Sequence, residues 1–163
     1  MTLVTVFSVT KGQEIKYGPG IDIVTPISKD LGRTSGAGYG LSLRGQIGFI
    51  DKFSIMGTIG YHLFSKETNT RVGMLPAQFG FKYALNDSEI AKVYMSLEAG
   101  IHSLRIKNEL SEISSSSSFS YAPGLGVQIL NIDLSTRLQL MDKFLGATST
   151  NYFNIRLGYT FGI

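Results

Sequence analysis

In eight separate stretches of this chain apolar side chains recur at every second position, and the charges within those stretches fall on the other parity. The first stretch carries Tyr17, Ile21 and Ile23, the second Tyr39, Leu41, Leu43, Ile47 and Phe49, and the third Phe53, Ile55, Ile59, Tyr61 and Leu63. The fourth runs from Leu75 to Leu85, the fifth from Val93 to Ile101, the sixth from Phe119 to Ile129, the seventh from Ile132 to Leu140, and the last from Phe153 to Ile163. Between these positions lie Lys16, Asp22, Arg44, Lys82, Lys92, Glu98, Asp133, Arg137 and Arg156. A period of two is the mark of strands whose two faces meet different surroundings, and here one of those faces is bare of charge.

Alternation alone suits two architectures, a soluble barrel with its apolar face inward and a membrane barrel with that face outward. Glycine separates them. The charge-bearing face also carries Gly18, Gly20, Gly40, Gly48, Gly60, Gly80, Gly100, Gly124, Gly126 and Gly158. A water-facing sheet has no use for so many glycines, whereas the interior of an eight-stranded barrel is so narrow that large side chains must alternate with small ones. The expected fold is therefore all-β: an eight-stranded antiparallel up-and-down transmembrane β-barrel. A soluble lipocalin-like carrier of small ligands, with the faces exchanged, is the alternative.

Connection lengths agree with the membrane form, because such barrels have tight turns at the periplasmic end and long loops at the outer end. "SKDLGRTSG", "SKETNT", "LRIKNELSEISSSSS" and "DKFLGATST" alternate with the short "IDK", "NDSEI" and a turn at Asn131, which puts both termini on the short-turn side. Aromatic residues collect near the strand ends. Tyr17, Phe49, Phe53, Tyr83, Tyr159 and Phe161 are expected to form a periplasmic girdle, and Tyr39, Tyr61, Phe119, Tyr121 and Phe153 an outer one.

Other classes lose support from composition. The 163 residues are enough for one domain, no run of about 18 apolar residues offers a transmembrane helix, and there is no cysteine for a disulfide or a thiolate site. A net charge of +3 from scattered lysines and arginines gives nucleic-acid binding little support. The opening "TLVTVFSVTKGQE" reads differently from the rest, so residues 1–14 are expected to be a leader remnant or an N-terminal arm, with the barrel domain spanning 15–163.

The glycine-rich alternating strands, the "IDKFSIMGTIGY" turn and strand and the final "NYFNIRLGYTFGI" resemble the small eight-stranded outer-membrane β-barrels of the OmpA and OmpX type, especially the barrel-only proteins of Bacteroidetes-like bacteria. The resemblance implies a monomer in the bacterial outer membrane, in contact with lipid and lipopolysaccharide. It also implies that the barrel-assembly machinery reads the last strand through Tyr159, Phe161 and Ile163, although that signal more often ends in phenylalanine than in isoleucine.

Asp22, Arg44, Lys82, Glu98, Asp133, Arg137 and Arg156 are expected to meet as a charge network inside the lumen, since a buried charge without a partner is costly. Asp22 is the expected partner of Arg44, because the first two strands should pair antiparallel with both side chains on the inner face. Some barrels of this kind are enzymes that modify lipid A with histidine, serine and a carboxylate. Here His62 and His102 share the inward parity, but His102 and Ser103 point to opposite faces, and Ser96 and Glu98 lie too far along the strand, so a partner would have to come from a neighbouring strand. No catalytic residue, cofactor or metal is expected. The serine run Ser114–Ser118 and the charged segment before it are read as the tip of the longest exposed loop, where Arg105 and Lys107 could meet anionic groups.

Overall fold

A computed structural model describes residues 14–28, 36–50, 52–64, 71–86, 88, 90–107, 114–141 and 150–162. Residues 1–13 of the expected leader or arm therefore lie outside the described residues, as does Ile163, while Glu14 accepts from the Gly48 N–H beside β1. The strands are β1 (Ile15–Pro26), β2 (Gly38–Ile50), β3 (Phe53–Phe64), β4 (Arg71–Ala84), β5 (Ala91–Lys107), β6 (Ser114–Ile129), β7 (Ile132–Met141), β8 (Tyr152–Tyr159) and the two-residue β9 (Phe161–Gly162). From β1 to β8 each pairs antiparallel with its neighbour in sequence, and β1 closes the sheet by pairing with β2, with β8 and, at its start, with β9. Closure leaves no unpaired edge, the condition for a sheet to stand in hydrocarbon.

Burial alternates along the strands and fixes the orientation of the faces. Along β8 every second residue is buried, and the exposed partners are Phe153, Ile155, Leu157 and Tyr159. Leu41 is 68% exposed while Arg44, three residues on, is 3% exposed. This is the reverse of what a soluble carrier requires, since such a fold would hide its aliphatic face and wet its charges.

Glycine makes room for the buried side chains. Arg156 lies flat across Gly20 and Gly158, and a methyl group at either glycine would fall on its guanidinium. Tyr94 lies across Gly126 in the same way. Large residues on one strand thus occupy the space vacated on the next, which is how an eight-stranded barrel fills its interior.

Two features depart from the sequence expectation. The serine run is strand rather than loop tip: Ser114 to Ser118 pair with Ile106 to His102, so the β5–β6 hairpin is the longest in the barrel. A ladder is made by backbone groups, and a hairpin continues while both chains can pair, even through a polar composition. The last strand is also not continuous. The β1–β8 ladder ends at Gly20 and Gly158 and resumes at Tyr17 and Phe161, interrupted beside Pro19. The β3–β4 ladder skips beside Pro76 and the β6–β7 ladder beside Pro123. Proline has no N–H to donate, so each of these three prolines, Pro19 and Pro123 on the outer face and Pro76 on the inner one, breaks one ladder while the ladder on its other side runs on.

Candidate functional site: the interior of the barrel

The interior is layered. At the long-loop end Val24, Phe64, Met74, Leu104 and Met141 pack around the ring of Tyr152 as an apolar cap. Beneath it the Tyr152 hydroxyl stands between two histidines, 2.9 Å from His102 Nε2 and 3.4 Å from His62 Nδ1. His102 Nδ1 is 2.8 Å from Ser120 Oγ. Alongside, Gln78 and Gln139 exchange reciprocal amide hydrogen bonds of 2.9 and 3.0 Å across the lumen.

The next layer is ionic. Arg137 donates to both carboxylate oxygens of Glu98 at 3.1 and 3.2 Å, and its other terminal nitrogen lies 3.5 Å from Asp22. Asn154 Nδ2 donates to Asp22 Oδ1 at 2.9 Å and Asn154 Oδ1 accepts from Arg137 at 3.2 Å, so the amide bridges the pair. His62 Nε2 approaches Asp22 at 4.0 Å.

Toward the short-turn end everything converges on Asp133. Its carboxylate accepts from Arg44 at 3.1 Å, Arg156 at 3.4 Å and the Tyr94 hydroxyl at 2.7 Å, and Lys82 Nζ is 3.8 Å away. Arg156 also donates to Ser42 Oγ and to the Gly18 carbonyl, at 3.0 and 3.1 Å. Lys82 lies 3.8 Å above the Tyr94 ring and donates to Gln46 and Gln128, at 3.1 and 3.0 Å.

The expected partner of Arg44 is thereby corrected. Asp22 stands opposite Gly40, whereas Arg44 stands opposite Gly18. Four residues of offset is about 13 Å along the strand, at about 3.3 Å per residue. Instead Arg44 reaches across the lumen to Asp133 on β7, and its second terminal nitrogen is 3.7 Å from Glu98 on β5. Pairs in so narrow a barrel span its diameter more readily than they run along its wall.

The other lumen residues named from the sequence are all buried and all meet in this network. Tyr94, Tyr152, Asn154 and Ser120 were missed, although all four sit on the inward parity, where an aromatic or a small polar residue is as informative as a charge. Among the described residues four buried cations (Arg44, Lys82, Arg137, Arg156) face three buried acids (Asp22, Glu98, Asp133), an excess of one formal positive charge without counting the histidines. Every barrel strand from β1 to β8 supplies at least one hydrogen-bonding side chain.

The partner that His102 lacked on its own strand is Ser120 on β6. That hydroxyl is fully buried, accepts from Gln78 Nε2 at 3.3 Å and lies 3.4 Å from the Gly100 carbonyl. A serine shared among three partners and sealed from solvent lacks the free approach that a nucleophile needs. On the exterior, Tyr17, Tyr39, Phe53, Tyr61, Phe119, Tyr121, Phe153, Tyr159 and Phe161 are exposed and Tyr83 partly so, while the Phe49 side chain lies outside the described residues. Phe53 stacks on Tyr83 with centroids 4.8 Å apart, and Phe161 touches both Tyr17 and Tyr159, at 5.8 and 4.9 Å.

No known family profile and no curated protein sequence matches the chain. Solved structures do. Neisserial surface protein A superposes with a TM-score of 0.72 at 12% identity, covering 91% of this chain and 96% of that one. The outer-membrane protein OprG of Pseudomonas aeruginosa superposes at 0.56 with 16% identity, covering 91% and 95%. Ail, the attachment invasion locus protein of Yersinia pestis, superposes at 0.53 with 17% identity, covering 91% and 97%. The chain has the fold of the small eight-stranded barrels of the bacterial outer membrane, and among the described side chains the outward strand positions carry no charge other than Arg105 near the far end of β5.

Proposed function

We propose that this chain is a non-enzymatic integral barrel of the bacterial outer membrane whose lumen is closed to solutes and whose long-loop end faces the outside. The observation that carries this reading is the network that ties all eight strands together across the lumen, under an apolar cap. A conducting pore needs a continuous aqueous path, and this interior is crossed by Gln78–Gln139, Glu98–Arg137 and Arg44–Asp133 in succession. In this reading the charge network is structural: it matches the buried acids with cations and fixes the register of strands distant in sequence.

The role is then exerted at the surface, where the β5–β6 hairpin outruns its neighbours and exposes Arg105, a cation suited to lipopolysaccharide phosphates or another anionic surface. The aromatic girdles seat the barrel at the two headgroup levels. The protein is a monomer in outer-membrane lipid and is delivered there by the barrel-assembly machinery, which reads Tyr159, Phe161 and Ile163.

Planar-bilayer recording of the refolded protein tests the closed lumen. The expected record shows no unitary current above the bilayer background, while discrete, reproducible openings would replace this reading with that of a channel. Fractionation tests the location: a chain that stays soluble and monomeric without detergent is no membrane barrel.

A further inference from the structure

The short-turn end carries an unexpected pattern. Each of its three turns exposes an aliphatic side chain: Ile50, 62% exposed, at the end of β2; Ile90, 67% exposed, before β5; and Leu130, 67% exposed, between β6 and β7. Single exposed aliphatics are ordinary on a protein surface, but recurrence at every turn of one rim is not. The three are also continuous with the lipid-facing band, through Phe53, Leu85, Ile129 and Ile132.

Leu130 makes the point more sharply. It has a φ of 51°, a left-handed backbone that glycine or asparagine adopts readily and leucine does not. A strained turn position occupied by an exposed leucine gains nothing from that side chain in water, and an observed outlier of this kind points to a role for the side chain.

The backbone of the rim is prepared for dehydration. Gly48 N donates to Glu14 O at 2.9 Å, Ala84 N to Lys52 O at 2.8 Å, Leu130 N to Ile90 O at 3.0 Å, and Thr160 N to Asn131 O at 2.7 Å. Gln128 Nε2 covers the Leu130 carbonyl, and Asn86 caps Ala91 and Val93 with its amide. Turns thus bond to neighbouring strands and to one another around the rim, so many polar backbone groups need no water, and such groups are what makes irregular backbone costly near hydrocarbon.

We infer that this rim is seated in the headgroup boundary of the periplasmic leaflet, with Ile50, Ile90 and Leu130 inserted among the lipids as anchors, rather than projecting into the periplasm. The occupant of the rim is lipid, because its aliphatics extend a surface that already faces lipid. Their neighbours Lys52, Asn86 and Asn131 suit a boundary that accepts polar and apolar groups together. The inference rests on the outer-membrane reading above.

The chain has no cysteine, which makes the test direct. Ile90→Cys and Leu130→Cys, each labelled with a polarity-sensitive fluorophore, are refolded into vesicles of phosphatidylethanolamine and phosphatidylglycerol. Quenching is read with aqueous iodide and with a phospholipid carrying a nitroxide near its headgroup. Ser88→Cys, on the same rim, serves as the water-exposed reference and Leu97→Cys, mid-strand, as the lipid reference. At Ile90 and Leu130 iodide quenching is expected to be several-fold weaker than at Ser88, with strong quenching by the nitroxide lipid. Iodide quenching equal to that at Ser88, with Leu97 protected, overturns the inference, and so does protection from iodide without quenching by the nitroxide lipid, which would mean that protein covers the rim. If Leu97 is itself open to iodide, the membrane reading fails instead.

Discussion

Arg137 on β7 binds both carboxylate oxygens of Glu98 on β5 through a single nitrogen, at 3.1 and 3.2 Å, across the strand that lies between them. Its other terminal nitrogen holds Asp22 on β1, two strands away in the opposite direction. One guanidinium therefore joins three strands that share no ladder with one another.

Removing that guanidinium is expected to be costly. Arg137→Met takes the nearest cation from two buried carboxylates, leaving Glu98 only the longer contact to Arg44, and should destabilise the barrel by about 3–5 kcal/mol. Adding Glu98→Gln should recover part of the loss, because one of the stranded charges goes with it. Urea unfolding from detergent micelles measures the cycle, and strict additivity of the two changes would dissolve the pairing.

The glycine pattern predicts a contrast at constant chemistry. Gly20→Ala and Gly158→Ala place a methyl group on the Arg156 side chain and should each cost about 1–3 kcal/mol by overpacking. Gly45→Ala, on the outer face with nothing within 4 Å, should be neutral to slightly stabilising. Thermal melting of the folded band on unheated gels ranks the three, and a Gly45→Ala as damaging as the others would mean that glycine is needed for some reason other than space.

Parity made much of this architecture legible. The inward direction of Arg44 follows from its place between Leu43 and Gly45, and the alternation of short and long connections gave the up-and-down order. Partners were not legible, because whether Arg44 meets Asp22 or Asp133 depends on the stagger and diameter of the closed barrel, which no local pattern encodes. The cap was missed for a different reason. Val24, Phe64, Met74 and Leu104 sit on the inward parity as apolar exceptions, and a reading organised around charge passes over exceptions of that kind. Pro19, Pro76 and Pro123 did carry a readable signal, since a proline inside a strand must cost one ladder a hydrogen bond.

Depth in the membrane sets the cost of charge on the outer face. Leu97→Arg faces hydrocarbon near the middle of β5 and should cost about 2–4 kcal/mol, whereas Leu130→Arg at the rim should cost about 0–1 kcal/mol. Folding titrations into lipid vesicles measure both. Equal costs would contradict the assignment of the mid-strand exterior to lipid.

Tyr152 separates the hydrogen-bonding part of the interior from the packing part. Tyr152→Phe keeps the ring against Phe64, whose centroid is 5.8 Å away, but withdraws the hydroxyl that His102 and His62 share. Both imidazoles then lose a partner inside a sealed layer, and an orphaned buried polar group costs about 1–3 kcal/mol. Tyr152→Ala loses the ring as well and opens a cavity beneath the cap, which should bring the total to about 3–5 kcal/mol. Neither variant is expected to conduct, since Gln78–Gln139 still crosses the lumen alongside and Glu98–Arg137 below. Urea unfolding and bilayer recording on the same two preparations decide the matter. A Tyr152→Phe as stable as the parent would reduce the histidine layer to packing, and unitary currents from Tyr152→Ala would make the cap, rather than the network, the barrier.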